Sequence, residues 1–330
     1  MARLVNRGFT ATLLALLIAA ELLLRASASA SPNVVRIVYG TTLAMYMEVA
    51  ERLRAAAPEV QVLAMGDSLA LTQFQPDIFA ADHGLPTAAV FNAAYLALTY
   101  RSQSALLKDI GLDRFTRMRR VLLFVNPRRL TADGNVDAAV FRVAIPEPGG
   151  PWREAWHDKS LSPILDYSRL YGLSRYLVSA SWRQIGRPPS WDEVEFLSPQ
   201  GGVVFDGTRP EGDRPSYLYE PLGEISESFV ADLAGVIDLW RARGVSVVLL
   251  PSIHHQGVQP FATASAERHF TERMEQLAKQ TGSIWVPMPA GGFQPPADTD
   301  FLDYAHLNRS GATAFTHYLR DRLASLPPIE

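Results

Sequence analysis

Five short apolar runs, residues 60–65, 88–91, 121–125, 245–250 and 283–286, recur along the chain with helical patterns between or after them. Each run is β-branched or apolar, as expected of a strand buried on both faces. Helical periodicity lies near residues 102–110, 226–243, 264–281 and 309–323. A further helical pattern runs through Met45, Val49 and Leu53 and stops at Ala57-Pro58. Alternating β and α elements predict an α/β fold, with a parallel sheet covered by helices on both sides. Functional groups in such sheets gather at the carboxyl ends of the strands.

One stretch breaks the alternation. Residues 131–224 are rich in Pro, Gly and aromatics and hold Trp152, Trp156, Trp182 and Trp191. Within it, residues 162–177 read as helical and residues 184–189 as a loop. An unstructured loop of this length is unusual, so the stretch is expected to pack beside the core as a lid or substrate wall.

The N-terminus sets the compartment. Arg3 and Arg7 precede an apolar stretch from Gly8 to Leu24, and Arg25 and a run of small residues, 26–31, follow it. This is the layout of a secretory signal. It is also close to the roughly 20 residues that span a bilayer, so residues 1–31 are expected to be a signal peptide or signal anchor. Residues 32–330 are expected to form one α/β domain carrying the 131–224 insertion. With the basic flank inside, that domain is expected to be exported, periplasmic or extracytoplasmic, and, where the segment is not cleaved, anchored to the inner membrane.

Composition removes several chemistries. The chain has no cysteine, which excludes disulfides, thiol catalysis and thiolate metal sites. A net charge of -3 gives no basic footprint for nucleic acid. No metal motif, phosphate loop or dinucleotide fingerprint occurs, so no metal or organic cofactor is expected.

The chemistry-bearing residues fall at strand ends. Gly66-Asp67-Ser68-Leu69 follows the first apolar run, so a sharp turn presents Ser68 at the sheet edge. A serine hydroxyl becomes nucleophilic when a base removes its proton, although a serine there also suits a helix cap. Asp303 and His306 are spaced by nearly one helical turn, which lets the aspartate orient a basic imidazole; an ordinary cap with a surface histidine fits the same spacing. Asn126 ends the third run, where its amide suits an oxyanion or a turn before Pro127. Asn92 ends the second run with the same two readings and is expected to contact substrate. His254 and His255 follow the fourth run and are read as substrate-facing or structural.

Taken together, this order of Ser, Asn, Asp and His resembles the SGNH, or GDSL, hydrolase superfamily over residues 60–130 and 226–325. Gly66-Asp67-Ser68-Leu69 is similar to its first block and Asp303-x-x-His306 to its last. The resemblance implies a flavodoxin-like three-layer sandwich of about five parallel strands. It implies Ser68 as nucleophile, His306 as base and Asp303 as its orienter. It also implies an oxyanion site made by the Ser68 N–H, Asn126 and the N–H of Ala97. The family's Gly-x-Asn-Asp reads here Phe124-Val125-Asn126-Pro127, and Ala97 stands where the family has glycine. The apolar N-terminus and the Asp-x-x-His-Leu-Asn-x-x-Gly-Ala ending look most like the membrane-anchored, DltD-like and alginate-acetylation-like branch.

That branch implies O-acetyl transfer to, or removal from, a cell-envelope or exported polysaccharide. The implied partners are an acyl donor, the polysaccharide or another ester, the membrane and other envelope polysaccharide-assembly proteins. Two other readings stay open: a lipid esterase or thioesterase, and a catalytically silent envelope scaffold of the same fold.

Overall fold

A computed structural model describes residues 12, 15–20, 22–23, 41–95, 99–131, 198–205, 222–254, 261, 263–288, 293, 298–303, 305–327 and 329. The chain divides into two compact units, Met1–Glu48 with Ala138–Glu195 and Val49–Asp137 with Phe196–Glu330. In the first unit the described residues are helical, and Leu16, Leu17, Ile18, Leu22 and Leu23 are exposed. No helix among the described residues is long and apolar enough to cross a membrane. The readings of residues 162–177 and 184–189 lie outside the described residues.

The second unit is built on five strands: β1 (Val62–Met65), β2 (Val90–Asn92), β3 (Arg120–Val125), β4 (Ser246–Pro251) and β5 (Ile284–Trp285). They form one all-parallel sheet in the order β2-β1-β3-β4-β5. The register places Leu63 beside both Phe91 and Val121, and Val121 beside Val247. Every residue of β1, β2 and β3 is buried, which explains why they are apolar apart from Asn92 and Arg120 at the strand ends. The expected fold class, an α/β three-layer arrangement on a parallel sheet, is the observed one.

The helices are α1 (Thr41–Ala56), α2 (Ser68–Gln73), α3 (Pro76–Asp82), α4 (Tyr100–Ile110), α5 (Glu227–Arg241), α6 (Ala264–Thr281) and α7 (Arg309–Leu323). Helix α5 packs on α4 and α6, while α7 packs on α2 and α3. Aromatic rings fill the space between helices and sheet. Phe124 of β3 lies 6.0 Å from Phe74 and 6.3 Å from Phe315 of α7. Trp240 of α5 meets Phe115 edge-on at 5.2 Å, a favoured aromatic geometry.

After β1 the chain adds β2 on one side and then β3 on the other. The crevice between β1 and β3 is therefore the topological switch point, where ligands of such folds bind. Ser68 follows β1 and Asn126 follows β3, so both flank it.

The long stretch after β3 is anchored at its ends. Thr131 bridges Ile225, and the Ser226 N–H donates to the Leu130 carbonyl at 2.7 Å. Residues within the expected insertion also return to the core. The Asn92 N–H donates to the Gln200 carbonyl, the Val203 N–H to the Leu71 carbonyl, and Val203 is buried. Gly201 runs so close to β2 that an added Cβ would strike the Asn92 carbonyl. Its left-handed backbone (φ 72°) adds a second reason for glycine.

Candidate active site

The first wall of the site is the turn from β1 into α2. Gly66 is required there by space: a Cβ would sit 2.5 Å from the Ala70 Cβ and 3.0 Å from the Phe124 Cβ. Asp67 is the N-cap of α2, its Oδ1 accepting the Leu69 N–H at 3.1 Å. Ser68 is therefore the first helical residue, and its N–H belongs to the group that has no carbonyl within its own helix.

Asp67 also organises the neighbouring strand end. Its Oδ2 accepts the Asn126 amide at 2.6 Å and the Arg129 Nε–H at 2.9 Å. The pair is buried, with the Asp67 side chain 2% and the Arg129 side chain 17% exposed. Asn126 is held on its other side too, because its Oδ1 accepts the Arg128 N–H at 3.1 Å. One of the two Asn126 amide hydrogens is thus committed to Asp67, and a single one is left for an oxyanion. Tyr100 lies buried beside this cluster. Burial, reinforced by the Asp67 charge, raises its phenol far above the usual tyrosine range, so it stays protonated.

The second wall is the loop before α7. His306 Nδ1 lies 2.9 Å from each carboxylate oxygen of Asp303. Asp303 Oδ1 also accepts the N–H groups of Ala305 and His306, both at 2.8 Å. Burial alone would raise the Asp303 pKa. The hydrogen bond from His306, its charge and the two N–H donors outweigh that effect and hold it below the ordinary carboxylate value. An ionised Asp303 fixes the proton on Nδ1, leaving Nε2 as the basic nitrogen.

The Leu307–Ala312 sequence builds this loop. Asn308 caps α7 by accepting the Gly311 N–H at 3.1 Å, and its amide donates to the Thr299 carbonyl at 2.6 Å. Gly311 packs against the Asp300 carbonyl at a distance no Cβ would allow.

Gln73 joins the first wall to the third, the loop after β4. Its amide donates to the Ile253 carbonyl at 2.6 Å, and the Ile253 N–H donates back to Gln73 Oε1 at 3.2 Å. The Ser252 N–H donates to the Val125 carbonyl at 3.0 Å. His254 is the next residue, and both its ring nitrogens are shielded from solvent. The charges of Asp67, Arg128 and His306 all act on it. The serine turn, the Asp303–His306 pair and His254 therefore share one electrostatic environment.

Asn92 has a different position from the one expected of a substrate contact. It is fully buried, its amide donates to the carbonyls of Ala70 and Phe74 at 3.0 Å, and its Oδ1 accepts the Ala94 N–H. With its hydrogen bonds used inside the protein, it secures the C-terminal end of α2. Ala97 and His255 lie outside the described residues. Among the described residues, no group of His, Asp and Glu is arranged to hold a metal ion.

The sequence reading passed over Arg129 and Gln73. Arg129 carried one usable signal, a charged residue four positions past a buried strand end. Gln73, a polar residue closing the apolar Ser68–Gln73 segment, carried a weaker one.

No family model and no curated protein sequence matches the chain. Among solved structures, the chain is similar to a Streptococcus pneumonia protein named provisionally as a platelet activating factor. That match has a TM-score of 0.42 and 11% identity over 89% of this chain and 99% of the other. It is also similar to a Bacteroides fragilis NCTC 9343 protein named provisionally as an acylhydrolase. There the TM-score is 0.40 and the identity 9%, over 84% of this chain and 95% of the other. At these scores neither likeness bears on activity.

Proposed function

We propose that the protein is a serine-dependent acyl-ester enzyme, an O-acetyltransferase or O-acetylesterase of a cell-envelope or exported polysaccharide. The observation that carries this reading is the bonding of His306 Nδ1 to Asp303 at 2.9 Å, on a loop whose charge acts on the same His254 as Asp67 does. A base with a fixed tautomer and a serine at the carboxyl end of a sheet strand are the two groups that acyl transfer brings together.

In this reading Ser68 Oγ attacks the ester carbonyl carbon while its proton passes to His306 Nε2. Asp303 stabilises the imidazolium. The Ser68 N–H and the remaining Asn126 amide hydrogen face the developing oxyanion. Collapse breaks the bond to the leaving alcohol, which takes the proton back from His306. Water or a second alcohol then attacks the acyl-serine, losing its proton to His306, and Ser68 is regenerated by the reverse sequence.

The compartment follows from Arg3, Arg7 and the apolar segment after them, which we assign to export and anchoring.

Para-nitrophenyl acetate with wild type and Ser68→Ala tests the chemistry. Wild type is expected to release nitrophenol and to carry an acetyl adduct on Ser68 by peptide mass, and Ser68→Ala to do neither. Equal release by both proteins rules out the nucleophile. Fractionation of cells expressing the full chain tests the anchor, and an unshortened product in the cytosol refutes it.

A further inference from the structure

Among the described residues, neither ring nitrogen of His254 has a hydrogen-bond partner, although both are buried. The nearby Ser252 Oγ is buried and unpartnered in the same way. Buried polar groups are nearly always satisfied, and leaving one unmet is costly. A cluster of unmet groups at the carboxyl edge of β4, beside the candidate catalytic residues, therefore marks a place where a ligand completes the bonding.

The backbone just before His254 is held on both sides. Ile253 is clamped from both its N–H and its carbonyl by Gln73 of the serine helix, and Ser252 is tied to Val125. The backbone leading to His254 is thus tied to the helix that Ser68 opens.

The charge state of the ring selects the ligand. Burial, aided by the Arg128 and His306 charges and opposed by Asp67, lowers the His254 pKa to about 4. The ring is neutral at physiological pH and offers one N–H donor and one nitrogen acceptor. A carboxylate or phosphate would use only the ring's donor, and an ammonium only its acceptor. A hydroxyl both donates and accepts, as Ser252 Oγ also does.

We propose that His254, with Ser252 beside it, is the subsite for a neutral hydroxyl group on the alcohol portion of the ester. The subsite recognises a polyhydroxylated alcohol, whether it departs in hydrolysis or arrives as the acceptor in transfer. This inference rests on the acyl-ester reading above and adds the residue that selects the alcohol.

The test compares two acetate donors, para-nitrophenyl acetate, whose alcohol has no further hydroxyl, and a mono-O-acetylated methyl glucoside. For His254→Phe, kcat/KM on the glucoside ester is expected to fall about 10–100-fold further than on the aryl ester. His254→Gln, which keeps a donor and an acceptor, is expected to recover part of that ratio. A ratio equal to wild type in His254→Phe overturns the subsite while leaving the acyl-ester reading intact. Wild type inactive on both esters overturns the acyl-ester reading and this inference with it.

A second measurement needs no turnover. In Ser68→Ala, the His254 imidazole nitrogen resonances are expected to shift on adding the acetylated glucoside and to hold still with the aryl ester. No shift with the glucoside refutes the subsite.

Discussion

Replacing Arg129 by Met probes the buried charge pair that holds the serine turn. The change removes the guanidinium 2.9 Å from Asp67 Oδ2 and keeps most of the side-chain volume. Asp67, whose side chain is 2% exposed, is left as a carboxylate with two neutral donors, the Leu69 N–H and the Asn126 amide. Stripping one partner from a buried ion pair costs about 3–5 kcal/mol. The two surviving hydrogen bonds and the partial exposure of Arg129 put this case at the lower end, about 3 kcal/mol. For a fold of this size each kcal/mol moves the melting temperature by about 2–4 °C, so Arg129→Met is expected to melt about 6–12 °C below wild type. Circular dichroism melts of the full chain at neutral pH measure it. Asp67→Asn and the double variant complete a cycle, in which the double variant is more stable than the two single losses added together, by about 1–3 kcal/mol. Arg129→Met melting within about 1 °C of wild type, or a strictly additive cycle, refutes the claim that this pair organises the turn.

Gly66→Ala forces a methyl group to within 2.5 Å of the Ala70 Cβ. It is expected to cost at least about 1–3 kcal/mol and to lower Ser68 acetylation, both read from melts and adduct mass; a fully stable, active variant contradicts the close approach. Stability is also expected to depend on pH through His254. The unfolded ring takes up a proton near its ordinary value of 6.5, whereas the folded ring does so only at about 4. Its contribution is therefore complete above about pH 6.5 and drains away as pH falls toward about 4, amounting to about 3 kcal/mol. Urea titrations at several pH values should give a shallower dependence for His254→Phe; parallel curves for both proteins count against the buried neutral ring.

The sheet was legible because its strands are buried on both faces, so 121–125 and 245–250 read as continuous apolar runs that differ from β3 by one residue at its start and from β4 by one residue at each end. Helices α6 and α7 carry full amphipathic periods, and their bounds match the sequence reading. Helices α2 and α3 have six and seven residues, too few for a period to show. Polar networks were hidden for another reason. Asn92 and Asn126 both end strands and look alike in sequence. Tertiary neighbours decide that Asn92 secures helix carbonyls while Asn126 meets a carboxylate. Gln73 and Ile253 are 180 positions apart, a separation at which local pattern carries no information.

The bridge between Thr131 and Ile225 closes the long stretch after β3 at its base, and Gln200–Val203 touches down on the core partway along. The described residues that flank positions 132–197 and 206–221 are thus held at fixed points on the sheet-bearing unit. Doubling the length of chain between two points already held together costs only about 0.6 kcal/mol, so changes in the length of residues 132–197 or 206–221 are expected to leave the join between β3 and α5 in place. The fixed points act as a socket whose seating beside the serine turn does not depend on the length of chain between them.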